Sequence, residues 1–365
     1  MAGTRLSVHP KSRVAPASRR CDSRVFGCSR LLAILAGAWV AVAAGSLIVG
    51  TTGVGLADYW HQAAGSPHPW SEFIHALLTL PVPRLAIGTL AGASLAAAGA
   101  MFQALFRNPL ASPYTLGVSS SASLGASVAI GLLGSGLWHG ISIVSAAAFA
   151  GAVICVSIVY AIARLTRQYG SATLLLAGLT LGFITSALVV LIMYLAEIRD
   201  ADQIMRWLMG SLEIVGMSAV YEVLALAAIA GGVAAWLHRD LDLLMMGEQL
   251  AASRGVSVKW SRRLVYFSAS LAIAGVVANC GPIGFVGLLV PHICRSLIGP
   301  THARLLPACA LAGAVFLPLC DLIARNALWW AGGESRQIPV GVFTSLIGGV
   351  FFIYLLLSRR HQAMV

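Results

Sequence analysis

Three histidines, His61, His68 and His75, stand seven residues apart in one segment, with Trp60 and Trp70 beside them. Imidazoles so arranged could ligate a haem iron or a ferric complex, although the same mixture of rings also decorates membrane-interface segments. Asp321 lies four residues before Arg325 within an apolar run. On a helix that spacing brings the carboxylate beside the guanidinium. A carboxylate inside a membrane otherwise marks a proton relay or a substrate contact, and pairing with Arg325 is the simpler expectation. Cys21, Cys28, Cys155, Cys280, Cys294, Cys309 and Cys320 are odd in number and scattered, with neither disulfide nor zinc spacing. No metal site is expected from these residue types. A phosphate-cradling glycine loop followed by Lys and Ser or Thr is missing, so this chain is not expected to hydrolyse ATP itself. No acid–base pair suggests an enzyme.

These side chains must be held by elements that composition defines. Of 365 residues, 58% are apolar and 10% charged, with a mean hydropathy of +0.85. A soluble domain carries about 25% charged residues, so lipid must solvate most of this surface. Crossing a bilayer takes about 20 apolar residues in a helix. Such runs fall near Leu31–Gly50, Arg84–Phe106, Thr115–Leu133, Gly140–Ala163 and Ser171–Ala196. A second set lies near Met217–Leu237, Arg263–Cys280, Val286–Gly299, Ala303–Ala324 and Pro339–Leu357. The runs are continuous rather than alternating, which predicts an all-α polytopic membrane protein of about ten transmembrane helices, not a barrel. The eighth, short and containing Pro291, is the weakest of them.

With the N-terminus inside, all but five of the 24 Lys and Arg residues fall on inner segments. The exceptions are Arg84, Arg199, Arg206, Arg325 and Arg336. The positive-inside rule therefore places both termini in the cytoplasm, and the net charge of +11 suits anionic lipid rather than nucleic acid. Residues 1–30, basic and rich in Ser, Arg and Pro, read as a disordered cytoplasmic tail. Residues 31–360 read as a single transmembrane domain. The first apolar run is too long for a signal peptide and reads as an uncleaved span.

The chain also repeats itself. Ala93–Gly99 (ASLAAAG) returns as Ala269–Gly275 (ASLAIAG), and Gly182–Ser186 (GFITS) as Gly341–Ser345 (GVFTS). The copies lie in spans two and five, then in spans seven and ten, so corresponding helices run in opposite directions. The repeat halves are roughly 84–196 and 263–357. Inverted repeats of this kind are typical of alternating-access transporters. Gly182, Thr185 and Ser186, with Gly341, Thr344 and Ser345, are candidates to line a pathway, or else to pack helices closely.

The longest polar stretch between spans is His238–Arg263. Within it Glu248–Arg254 predicts a short helix stopped by Gly255, able to lie on a membrane surface or to dock into a partner. This loop (GEQLAASRGV), Phe106–Ser120 (FRNPLASPYTLGVSS), Gly281–Pro307 and Ile338–Leu356 together resemble the permeases of iron-siderophore, haem and cobalamin ABC importers. The likeness runs in order from about residue 30 to 360. It implies a bacterial inner-membrane homodimer or pair of halves with a type II importer fold. The partners it implies are a cytoplasmic ATP-binding cassette ATPase, which uses the ATP, and a periplasmic solute-binding protein. No cofactor is expected on the permease itself.

The resemblance also assigns roles by position. Gly247, Glu248, Ala251, Arg254 and Gly255 would form the ATPase-coupling loop, and Ser171 and Ala172 an inner gate. Arg84 and Arg325 would dock acidic residues of the binding protein. A third docking position falls on Pro81, for which Arg336 could substitute. The expected cargo is a metal chelate, with ferric siderophore the commonest choice in the family and haem or cobalamin the others. The alternative is a secondary transporter coupled to ions or protons, for which only Asp321 offers an intramembrane carboxylate.

Overall fold

The computed structural model describes residues 27–50, 55–65, 68–134, 136–138, 141–165, 171–214, 216–333 and 336–362. Most of the expected tail, Cys21 included, lies outside them.

Ten helices occupy the ten apolar runs. They are α1 (Cys28–Val49), α4 (Pro81–Phe106), α5 (Val118–Val128, prolonged by a π turn to Leu133), α6 (Ile143–Leu165) and α7 (Ser171–Leu195), then α9 (Ser218–Met246), α11 (Val258–Cys280), α12 (Val286–Ile298), α13 (His302–Gly332) and α14 (Val340–Gln362). Seven are long and apolar enough to cross a membrane, and α5, α12 and α14 carry shorter apolar stretches. The doubted eighth span is α12, which keeps Pro291 buried inside it. The only sheet among the described residues is a two-residue pairing of Leu137–Trp138 with Ile141–Ser142.

Three further helices, α2 (Leu56–Ala64), α3 (Pro69–Thr79) and α8 (Ile198–Leu208), were not read from hydropathy, and the short helix foreseen before Gly255 is α10 (Glu248–Ser253). The polar stretch from His238 is largely a continuation of α9. Leu237, Leu241 and Leu244 recur at helical spacing and bury themselves, so one face of HRDLDLLMM belongs to the bundle.

Small residues set the packing, as lipid gives helices no hydrophobic reason to associate. Gly92 of α4 and Gly313 of α13 meet backbone to backbone, and Gly99 of α4 lies against Gly287 of α12. A side chain at Gly92, Gly99 or Gly313 would strike main chain. Helix α4 is accordingly buried along most of its length and forms the centre of the bundle, flanked by α9, α11, α12 and α13.

The halves share a second pattern. The chain is irregular over 107–117 before α5 and over 281–285 before α12. Each break ends on a left-handed residue, Gly117 (φ 71°) and Phe285 (φ 66°). The first packs on Gly178 of α7, and the second on Gly341 and Gly348 of α14. Broken helices facing equivalent partners suit a two-fold related repeat.

Candidate functional site

The basic end of the bundle carries the segment expected to couple, Gly247 to Gly255. Gly247 (φ 131°) turns the chain from α9 into α10. At the other end Gly255 (φ 84°) donates to the Ala252 carbonyl while Val256 donates to that of Ala251, both at 3.0 Å. That reciprocal pair closes the helix in a Schellman motif, which requires the left-handed glycine. Ala251 is fully buried against the bundle, and Arg254 is exposed. Glu248 opens the helix, where a carboxylate suits the positive end of the dipole. Its Oε1 accepts from Arg262 Nη1 of α11 at 2.6 Å and lies 3.8 Å from Arg107 Nη2 at the end of α4. The segment is therefore fastened to two spans at once.

Neighbouring side chains stiffen this end. Asp240 of α9 accepts from Ser261 Oγ of α11 at 2.6 Å. Asp242 accepts from the His302 backbone N–H at 2.8 Å and meets its Nδ1 at 2.6 Å, capping α13. Arg295 of α12 donates to Gln103 of α4 at 2.8 Å. None of these pairs was foreseen. The Asp-x-Asp spacing at 240 and 242 was a usable signal, since it aims two carboxylates to different sides of one helix turn.

A cavity of about 790 Å³ lies where the two chain breaks meet. Ser112 and Tyr114 line it from the first break, Pro282, Gly284 and Phe285 from the second, and Gly341 and Ser345 from α14. A smaller space of about 270 Å³ shares Tyr114, Leu208 and Pro282 with it and reaches Ser186. The lining is mostly apolar, with hydroxyls and main chain as its polar groups. Such walls offer a bulky solute apolar contact and a few hydroxyls, with no charged group in the lining. Of the expected pathway residues, Gly341, Ser345 and Ser186 line these spaces. Thr185 and Thr344 do not: both are buried and bond their own helices, to Leu181 and Gly341 carbonyls at 2.9 and 3.1 Å. Gly182 packs against Gly117 and Ser120. Those three serve helix packing. At the expected gate Ser171 begins α7, and Ala172 is exposed beside Asn108 and Ala111 on a space of about 340 Å³.

The opposite end departs from expectation. Arg84 grips Asp321 with two parallel hydrogen bonds, Nε to Oδ2 at 2.9 Å and Nη2 to Oδ1 at 2.8 Å. Gln337 takes Nη1 at 3.2 Å. Arg325, the partner expected for Asp321, pairs with it at the longer distance of 3.9 Å and also donates to the Ser46 carbonyl and hydroxyl of α1 at 2.9 and 2.7 Å. It is 1% exposed. A docking role for Arg325 is thereby corrected: it has no surface to offer a binding protein. Arg84 is mostly spent on Asp321, whereas Arg336 is exposed. His61, His68 and His75 are all exposed on α2, α3 and the residue before α3, where Trp60, Trp70 and Phe73 form an aromatic cluster. Among the described residues no group of three His, Cys, Asp or Glu side chains converges as a metal site would need.

A ten-helix bundle with broken helices at its centre and a clamped surface helix on its basic end defines the membrane component of an ABC importer. The FecCD transport family model matches residues 32–358, and the chain belongs to that family. It is 42% identical to the cobalamin import system permease BtuC of Halobacterium salinarum, over 78% of this chain and 74% of that one. It is 37% identical to the vitamin B12 import permease BtuC of Citrobacter koseri, over 87% and 90%. An uncharacterised Bacillus subtilis permease, YvrB, is 36% identical over 83% and 85%. Among solved structures, an inward-facing metal-chelate type ABC transporter superposes with a TM-score of 0.77 at 28% identity, covering 90% of this chain and 99% of that one.

Proposed function

We propose that this chain is the permease of an ATP-driven importer that carries a corrinoid of the cobalamin class into the cytoplasm, two copies facing each other across α7 and α14. The observation that carries this reading is the glycine-bounded α10, tied through Glu248 to α11 and α4. A separate ATPase pressing on α10 would move both spans together, and the cavity between the chain breaks would open alternately to either side. The basic end is then the cytoplasmic one, by the charge asymmetry, and ATP is bound by the partner alone. On the outer side Arg336 and Arg199 are exposed cations suited to docking an acidic binding protein, with Arg84 contributing whatever its ion pair leaves free.

Cobalamin displaces ferric siderophore as the favoured cargo because the relatives of 37 and 42% identity are named for it. The lining carries little chemistry to select a metal complex, so choice of cargo would rest with the soluble receptor. Proton coupling is disfavoured by Asp321, whose carboxylate is already held by Arg84.

Reconstitution in vesicles with the cognate ATPase and binding protein tests this. ATP-dependent uptake of cobalamin is expected. Uptake without ATPase would overturn the importer reading in favour of secondary transport. Uptake of ferric chelate alone would overturn the cargo and leave the ATP-driven mechanism standing.

A further inference from the structure

Beneath α10, on the basic end, lies a second kind of cavity, about 350 Å³ in volume. Its rim is cationic: Lys259, Arg262 and Arg263 fall at i, i+3 and i+4 on the first turns of α11 and all line it. Its walls are apolar, built from Leu105, Leu174 and the Tyr266 ring.

This charge placement is unfavourable as it stands. Like charges at i and i+4 repel, the start of a helix is its positive pole, and α11 has no acidic residue in its first turn. One carboxylate lines the cavity, that of Glu248, and it serves Arg262 and Arg107 together. Arg263 leans on Tyr160, with Nε 2.9 Å from the hydroxyl and the guanidinium 5.8 Å from the ring centre. The rim thus holds three cations against one shared anion. A negatively charged group seated there would satisfy the repelling side chains and the helix pole at once.

We infer that the cavity binds the phosphate headgroup of an anionic phospholipid, with its glycerol and first acyl carbons against the apolar wall. A free phosphate could use the rim but would leave that wall without a partner. Trp260, half exposed on the same turn of α11, places an indole at the headgroup level where such rings concentrate. Basic pockets between helices at the cytoplasmic leaflet are suited to such headgroups. The bound phosphate would share Arg262 with Glu248, so that leaflet composition bears on how firmly α10 is held. The site goes beyond the transport reading and does not depend on the cargo, and the test below is made on the permease alone.

The test is lipid retention by the purified full-length chain in detergent, read by native mass spectrometry against equal phosphatidylglycerol and phosphatidylcholine. Phosphatidylglycerol is expected to be retained roughly tenfold better, on the order of the attraction that two nearby cations give an anionic headgroup. Lys259→Gln with Arg263→Gln should abolish the preference, and Lys259→Arg with Arg263→Lys should keep it. Equal retention of the two lipids, or a preference untouched by the Gln pair, would overturn the site. Displacement of phosphatidylglycerol by millimolar inorganic phosphate would overturn the lipid in favour of the free ion. Should the Gln pair not fold, brominated lipids decide on the native sequence. The fluorescence lost in the Trp260→Phe variant identifies the Trp260 signal, which brominated phosphatidylglycerol should quench and brominated phosphatidylcholine should not. Equal quenching would overturn the proposal.

Discussion

Arg84 and Asp321, 237 residues apart in the chain, form a two-pronged ion pair that joins the first turn of α4 to the middle of α13. Arg325 stands beside it on α13 and reaches across to Ser46 of α1. One carboxylate therefore ties α4 to α13 directly and, through Arg325, sits beside the link from α13 to α1. Asp321→Asn would leave Arg84 and Arg325 without their shared counter-charge. Loss of one member of a buried pair costs about 3–5 kcal/mol. A marked fall in the melting temperature of the detergent-solubilised protein is expected. The double change Arg84→Leu with Asp321→Leu should be less damaging than Asp321→Asn alone.

Glu248→Gln removes the charge that holds α10 against Arg262 and Arg107. The pair is half exposed, so stability should change by no more than about 1 kcal/mol. Coupling should suffer instead: transport per ATP hydrolysed is expected to fall about tenfold, the loss equivalent to about 1.4 kcal/mol. Parallel assays of ATPase activity and uptake in vesicles measure it.

Gly92→Val would drive methyl groups into the Gly313 main chain, which cannot yield as a flexible side chain could. Overpacking of this kind costs about 1–3 kcal/mol or more. Reduced yield of folded protein and a lower melting temperature are expected, whereas Gly231→Val, with open space around it, should leave both unchanged.

Ser345→Trp should separate lining from packing. Ser345 faces the large cavity, so an indole there can occupy it and block uptake while the protein melts normally. Thr344→Trp, one residue earlier and fully buried, should fail to fold. Equal effects on melting would refute the assignment of these neighbours to opposite faces of α14.

Much of the scaffold was legible beforehand. Helices at all ten apolar runs could be read, seven of them long enough to cross a membrane, because hydropathy over about 20 residues reports burial in lipid regardless of what a helix packs against. The Gly255 stop and the short α10 were legible because local capping chemistry determines them. What escaped was non-local. Nothing in the sequence near Asp321 distinguishes a partner four residues on from one 237 residues back, and the nearer arginine was the natural choice. Helices α2, α3 and α8 escaped since they are short and amphipathic, below the length that hydropathy detects. Thr185 and Thr344 stayed open between pathway and packing because a small-residue string does not say which of its members faces the neighbouring helix.

The glycine contact between α4 and α13 also limits which parts of the bundle can change shape. Two main chains touching without side chains between them have no rotamers to exchange and no gap to take up, so this pair behaves as a keel. Helix α7 is the reverse, with only 17% of its apolar stretch covered within the chain. On the reading proposed above, a push at α10 would pass through the stiff centre with little loss and be taken up at α7, where the second copy would pack, so that a small displacement at one end of the molecule becomes a change of shape at the cavity.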